Sequence, residues 1–174
     1  MFTDAGVYVC HQQGGDGALI IILYVDDITL LGTLLENVKR IKDALAAHYE
    51  MSDMGEIQSY LGVQIVRNRA DKCLKIDQTG YISEVLERFG MVDANPHNTP
   101  LPAGAEVHLV KSTGEAAQSD IKHFQSLIRS LMYIQIGTCP DISFAVSHLA
   151  QYAANPSSQH LRLAQYILGY LAGT

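Results

Sequence analysis

Leu19-Ile20-Ile21-Ile22-Leu23-Tyr24-Val25-Asp26-Asp27-Ile28-Thr29-Leu30-Leu31-Gly32 is an apolar run interrupted once, by two adjacent carboxylates. The flanking residues are branched or aromatic and fall in two short blocks. Neither block shows the polar spacing of a helix, which predicts two strands joined by a tight bend. Carboxylates beside a core are costly unless something neutralises them. A pair of acids at the rim of a sheet offers the oxygen ligands that magnesium prefers. The simpler reading is a solvated cap, since Asp is common at turns. Against it stands the absence of glycine: two-residue hairpin tips need positive φ and ordinarily carry Asn-Gly, Asp-Gly or Gly-X, and Tyr24-Val25-Asp26-Asp27 carries none of these. An acid pair kept in an unfavourable turn points to a further role.

Working outward, Gly6 to His11 alternates weakly and Gly14-Gly15-Asp16-Gly17 marks a hairpin into the strand Ala18 to Val25. Ile28 to Leu31 is the next strand. Thr33-Leu34-Leu35-Glu36 has capping-box spacing, and Leu34, Val38, Ile41, Leu45 and Tyr49 recur at helical intervals, so a helix of about four turns should lie across the hairpin. Its Lys39, Arg40 and Lys42 read as a solvated face. Leu61, Val63 and Ile65 alternate with Gly62 and Gln64 as a half-buried strand should, and Cys73 to Ile76 pairs with it as a hairpin at the sheet edge. Tyr81-Ile82, Val85-Leu86 and Phe89 define a helix closed by Gly90.

Residues 91–119 carry Pro96, Pro100 and Pro102, too many breakers for regular structure, and read as a linker or mobile loop. Three helical stripes follow. The first runs from Ile121 to Met132; the second opens at Pro140-Asp141 and the third at Asn155-Pro156-Ser157. The expected class is α+β: an antiparallel sheet with a packed helix, then a small helical bundle. No apolar stretch approaches a membrane span, and Met1-Phe2-Thr3-Asp4 shows no signal core, so an intracellular location in cytoplasm, virus-like particle or nucleus is expected.

With 174 residues, 48% hydrophobic and 17% charged, the chain has the size and composition of one globular domain. Cys10, Cys73 and Cys139 are too far apart for a disulfide framework or zinc cluster, and read as buried or idle thiols. The net charge of −6 is unusual for a protein that grips a nucleic-acid backbone. Nine of the acids lie in residues 1–66 against three bases, so the excess surrounds the acid pair. A cation would offset part of it, and the chain alone should bind nucleic acid poorly at physiological salt.

Tyr24-Val25-Asp26-Asp27 between apolar strands resembles the catalytic hairpin of reverse transcriptases, and an ordered series of segments extends the likeness to the copia-type retrotransposon enzymes. The series comprises Phe2-Thr3-Asp4-Ala5-Gly6-Val7-Tyr8-Val9, Tyr60-Leu61-Gly62-Val63-Gln64-Ile65, Gln78-Thr79-Gly80-Tyr81-Ile82, Thr99-Pro100-Leu101, Ser126-Leu127-Ile128, Pro140-Asp141-Ile142-Ser143-Phe144-Ala145-Val146 and Tyr170-Leu171-Ala172-Gly173-Thr174. The resemblance implies RNA-directed DNA polymerisation by two Mg2+ ions on a template-primer of RNA and DNA with dNTPs. It makes Asp26 the main metal ligand and Asp27 the auxiliary one, with a third carboxylate on an earlier palm strand outside this sequence. Tyr24 and Val25 would contact the last base pair, and Leu61 and Gly62 the primer end. Without the family, Leu61-Gly62 reads as ordinary strand packing with a bulge glycine.

On this pattern residues 1–76 are the later palm, 77–119 a thumb helix and Pro-containing loop, and 120–174 a helical thumb or connection region. The chain is expected to be a fragment, inert by itself. The alternative is a degenerate or repurposed binding module that keeps the fold and self-associates through an exposed sheet edge. A small metal-dependent hydrolase using Asp26, Asp27 and Asp4 or Asp16 lacks an identifiable group to position a nucleophile. Arg129, Cys139, Leu161 and Gly169 depart from the residues usual in the family and look like unselected drift; a glycine at 169, inside the third helix, would cost about 1 kcal/mol against alanine.

Overall fold

The computed structural model describes residues 5–11 and 17–174, and its mixture of five helices with two small antiparallel sheets is the expected α+β class. Asp4, Asp16 and the first glycines of the Gly14-Gly15-Asp16-Gly17 turn lie outside the described residues. Two compact units emerge from the contacts, Met1–Ile57 and Gln58–Thr174.

In the first unit β1 (Val7–His11), β2 (Ala18–Tyr24) and β3 (Asp27–Gly32) form a sheet in that order. The β2–β3 register runs from Leu19 opposite Gly32 to Tyr24 opposite Asp27. Period two then puts Leu19, Ile21 and Leu23 on one face with Gly32, Leu30 and Ile28, and Ile20, Ile22 and Tyr24 on the other with Leu31, Thr29 and Asp27. Helix α1 (Leu35–Ala46) takes the first face. Gly32 is what admits it: a β-carbon there would stand 2.6 Å from Val38 Cγ2. The helix is shorter than the four turns read from the sequence, and its cap is different. Leu34 is the N-cap without a side-chain bond, because the Thr33 hydroxyl is taken by the sheet, accepting from the Ala18 amide at 3.0 Å. Cover is thin. No residue of α1 is fully buried, and among the described residues of this unit Leu19 is the one buried large hydrophobic.

The second unit opens with a sheet of β4 (Ser59–Tyr60), β5 (Val63–Asn68) and β6 (Cys73–Asp77). Leu61 and Gly62 form the turn between β4 and β5, with φ of 49° and 80°, so the continuous strand through Leu61 expected from alternation is broken there. Both residues are in the left-handed region that a two-residue hairpin of primed type requires, and Gly62 supplies one of them without strain. Helix α2 (Thr79–Arg88) ends as its sequence indicates: Gly90, at φ 66°, donates to the Glu87 carbonyl and Met91 to that of Leu86, a Schellman closure.

Helices α3 (Gln118–Gly137), α4 (Ser143–Ala150) and α5 (Ser158–Ala172) hold the core of this unit. Phe124, Leu127, Leu131, Ile134, Val146, Leu149, Ile167 and Leu168 are withdrawn from solvent, each worth about 1.5–3 kcal/mol of burial. Ser157 caps α5 in a reciprocal box with His160. Residues 91–117 contain one 3-10 turn, Ala105–His108, and otherwise run as a strap tied to the helices. The mobile loop expected from its prolines is held by the Tyr152 hydroxyl on the Leu109 carbonyl and by Asn155, which accepts from Ala116 and donates to Gly114.

Gly169, which reads as drift in the sequence, has a structural reason. The His97 ring stacks on Tyr166 at 3.7 Å, and the strap crosses α5 so closely that a β-carbon at 169 would lie 2.6 Å from His97 Cδ2 and 3.2 Å from the Asn95 carbonyl oxygen. One turn later Gly173 leaves similar room for Pro96. Gly169→Ala, which in an open helix stabilises by about 1 kcal/mol, is expected instead to destabilise by about 1–3 kcal/mol through overpacking; urea denaturation followed by circular dichroism distinguishes the two signs.

Asp77, just ahead of α2, is held below its ordinary value of 3.8, first by the hydrogen bond from Lys75 and then by the Thr79 amide. A lowered folded value means that its contribution is fully present above about pH 3.8 and is lost as pH falls below that, through the folded value. Acid titration of α2 amide exchange should show no effect of Asp77→Asn below that window and faster exchange in the variant above it.

Candidate functional site: the Tyr24–Asp27 hairpin tip

The register leaves two residues, Val25 and Asp26, to connect β2 with β3. Val25 takes φ 53° and is 88% exposed. For a β-branched residue this conformation is an outlier, costing roughly 1–2 kcal/mol relative to the right-handed regions. The absence of glycine noted in the sequence is therefore met by real backbone strain, and the exposed side chain regains nothing by packing. Such strain persists only where the flanking structure over-determines it. Here six consecutive β2–β3 pairs do so.

The carboxylates are not beside a core, as the apolar run suggested; both Asp26 and Asp27 are exposed. Because the strand ends at Tyr24, the apolar blocks stop short of the acids and the tip projects into solvent. Asp26 belongs to the turn, so strand alternation does not set its direction. Asp27 opens β3 opposite Tyr24, which places those two residues on the face that α1 leaves open. That face also carries Val9 and Leu31, 53% and 46% exposed. Among the described residues no group of three His, Cys, Asp or Glu side chains could hold a metal ion. The donor set at the tip is two carboxylates, hard ligands that suit an oxygen-seeking divalent cation with its remaining positions filled by water or phosphate.

Lys39 and Arg40 are exposed, as a solvated face should be, whereas Lys42 is half-buried and binds Asp53 at 2.7 Å. That bond and the Gly55 amide hold the Asp53 carboxyl below its ordinary value and bring the segment after α1 back onto the helix.

Leu61 and Gly62, the other candidate pair, lie in the second unit at the β4–β5 turn, with Leu61 45% exposed. The Leu61 carbonyl accepts a hydrogen bond from the Tyr133 hydroxyl of α3. Nothing in the sequence singled out Tyr133, a lone tyrosine among the apolar positions of a helix. All three cysteines are free, and Cys10 and Cys73 are exposed rather than buried. Among the described residues no helix is long and apolar enough to cross a membrane.

Comparison with known proteins decides what this hairpin belongs to. A family model described as reverse transcriptase (RNA-dependent DNA polymerase) matches residues 2–103. The chain belongs to the copia-type retrotransposon reverse transcriptases. It is 35% identical to the retrovirus-related Pol polyprotein from transposon TNT 1-94 of Nicotiana tabacum, over 99% of this chain and 13% of that protein. It is 33% identical to the Pol polyprotein from transposon RE1 of Arabidopsis thaliana, over 99% of this chain and 11% of the relative. An uncharacterized mitochondrial protein of Arabidopsis thaliana is 33% identical over 90% of this chain and 62% of its own length. The chain thus spans about an eighth or less of the two polyproteins. No solved structure matches it.

Replacing Val25 by glycine removes the left-handed penalty at the tip, less the added freedom of the unfolded chain. Val25→Gly is expected to stabilise the hairpin by about 0.5–1 kcal/mol, slowing amide exchange across β2 and β3; faster exchange would contradict the strain assigned to this turn.

Proposed function

We propose that this chain supplies the later palm and thumb portions of an RNA-directed DNA polymerase, with Asp26 and Asp27 as metal-binding carboxylates for nucleotidyl transfer, and that it does not polymerise by itself. The observation that carries the reading is the strained, glycine-free tip: an exposed acid pair maintained at a φ of 53° on the preceding valine, in a chain of this family. Asp26 is taken as the principal ligand and Asp27 as the auxiliary one. Two Mg2+ ions, when bound, lower the pKa of the primer 3′-hydroxyl and steady the leaving pyrophosphate. Tyr24 and Val25 lie at the tip where the terminal base pair would rest, and Leu61-Gly62 supports the primer end. Template-primer and dNTPs are the partners.

In this division 1–76 is palm, 77–119 the thumb helix with its strap, and 120–174 the remaining thumb or connection helices; the palm portion crosses the boundary between the compact units at Ile57. Inactivity in isolation follows from chemistry. Holding two ions a few ångströms apart takes more carboxylate ligands than two adjacent aspartates provide. The thin cover of the hairpin sheet agrees with a further layer of polypeptide or nucleic acid on its open face.

A second reading, a non-catalytic interaction module, draws on the same exposed Val9 and Leu31 and on β3 as an edge strand of its sheet among the described residues. It requires association, and sedimentation of the purified chain as a monomer across its soluble range counts against it.

The 174-residue chain with Mg2+, dNTPs and an RNA-templated DNA primer is expected to give no extension product. Incorporation that disappears in Asp26→Asn would overturn the claim of inactivity. In a longer polyprotein containing this segment, Asp26→Asn is expected to reduce incorporation by about a thousandfold or more, the consequence of losing several kcal/mol of metal-borne stabilisation.

A further inference from the structure

We propose that Tyr133 is a positioning residue that fixes the Leu61–Gly62 turn as a rigid seat for the primer 3′ end. The inference rests on the primer-contact reading of that turn and adds the group that sets its geometry. β4 is two residues long, so its ladder gives the turn little support from that side. The turn is also strained, since Leu61 holds φ 49° without being glycine. Beyond the backbone bond from the Ile65 amide to the Gln58 carbonyl, the turn has a tether from outside the hairpin: the Tyr133 hydroxyl donates to the Leu61 carbonyl.

The phenol does more than donate. A β-carbon on Gly62 would lie 3.7 Å from the Tyr133 hydroxyl oxygen, so the same group rests against the second turn residue. Its own position is over-determined. Leu131 and Ile134, on either side of it in α3, are fully buried, and its ring forms a T-shaped pair with Tyr81 of α2, the ring centroids 4.9 Å apart at 77°. Tyr81 in turn packs against the main core. A chain of contacts thus runs from the interior of the helical unit to a single backbone carbonyl in the turn, leaving the Leu61 side chain half out in solvent. A group held by packing and hydrogen bonding behind a presented side chain is the arrangement that precise positioning demands.

The test compares Tyr133→Phe with wild type in the 174-residue chain. Phenylalanine keeps the ring contact with Tyr81 and removes only the hydroxyl. Tyr152→Phe, which deletes the hydroxyl bonded to the Leu109 carbonyl elsewhere in the unit, controls for loss of one such bond. Amide exchange of a peptide covering residues 58–66 is measured by mass spectrometry. In parallel, an RNA–DNA hybrid with a photoreactive nucleotide at the recessed DNA 3′ end is crosslinked at low salt, where phosphate contacts are strongest. Tyr133→Phe is expected to accelerate exchange of the 58–66 peptide roughly fivefold and to lower crosslinking to it severalfold, with an unfolding midpoint no lower than that of Tyr152→Phe. Unchanged exchange overturns the positioning role, as does faster exchange with undiminished crosslinking. A wild-type chain that never crosslinks through this peptide removes the primer reading itself, and the proposal with it.

Discussion

Six successive pairs between β2 and β3 leave only Val25 and Asp26 to turn the chain, and the first unit is organised by that constraint. The pairing is strong enough to hold a β-branched residue at positive φ. It also fixes which residues reach the tip and which face each one takes. Asp27 and Tyr24 fall opposite one another, on the side away from α1, because Gly32 at the other end of the ladder admits the helix to the opposite face. A one-residue slip would exchange the faces along the whole ladder. The acid pair is thus displayed by register, and the exposed acids draw no support from burial.

The second unit solves a different problem. Its helices bury a continuous core from Val85 to Leu171, and the strap before α3 is fastened to them where small residues permit close approach. Gly169 in α5 and Gly173 at its C-cap, one turn apart, form a notch for Asn95-Pro96-His97. The helix propensity lost at Gly169 is offset by contacts that no residue with a side chain would allow. Gly137 is similar at the end of α3, where the buried Gln78 side chain takes the space and accepts from Thr138 at 3.0 Å.

Elements with a strong period were legible before the structure. The β2 and β3 blocks, the stripe through Val38 and Ile41, the Gly90 stop and the three later helices depend on local pattern, and local pattern is what a sequence displays. The misreadings have a common origin in long-range contacts. Thr33 has the spacing of a cap but is claimed by Ala18, fifteen positions away. Leu61 alternates like a strand residue, yet a turn occupies its place and a tyrosine seventy-two positions on holds its carbonyl. The proline-rich strap looks unattached until its partners are seen, Tyr152 and Asn155 in the turn after α4 and Tyr166 on α5. At the acid pair the residue types and the missing glycine were readable; their full exposure was not, because nothing local says where a ladder ends.

In a chain of this family the hairpin tip presents two exposed carboxylates, and the proposed function has their chemistry completed by ligands beyond that pair. Two exposed carboxylates should still attract a hard divalent cation weakly, with most of its coordination left to water. The direct measurement is Mn2+-induced broadening of the backbone resonances of the isotopically labelled 174-residue chain. Broadening centred on Tyr24 to Ile28 at millimolar metal, and absent after Asp26→Asn with Asp27→Asn, is the expected result. Broadening that leaves this tip untouched, or that persists there in the double variant, would contradict the assignment of Asp26 and Asp27 as the metal-binding pair.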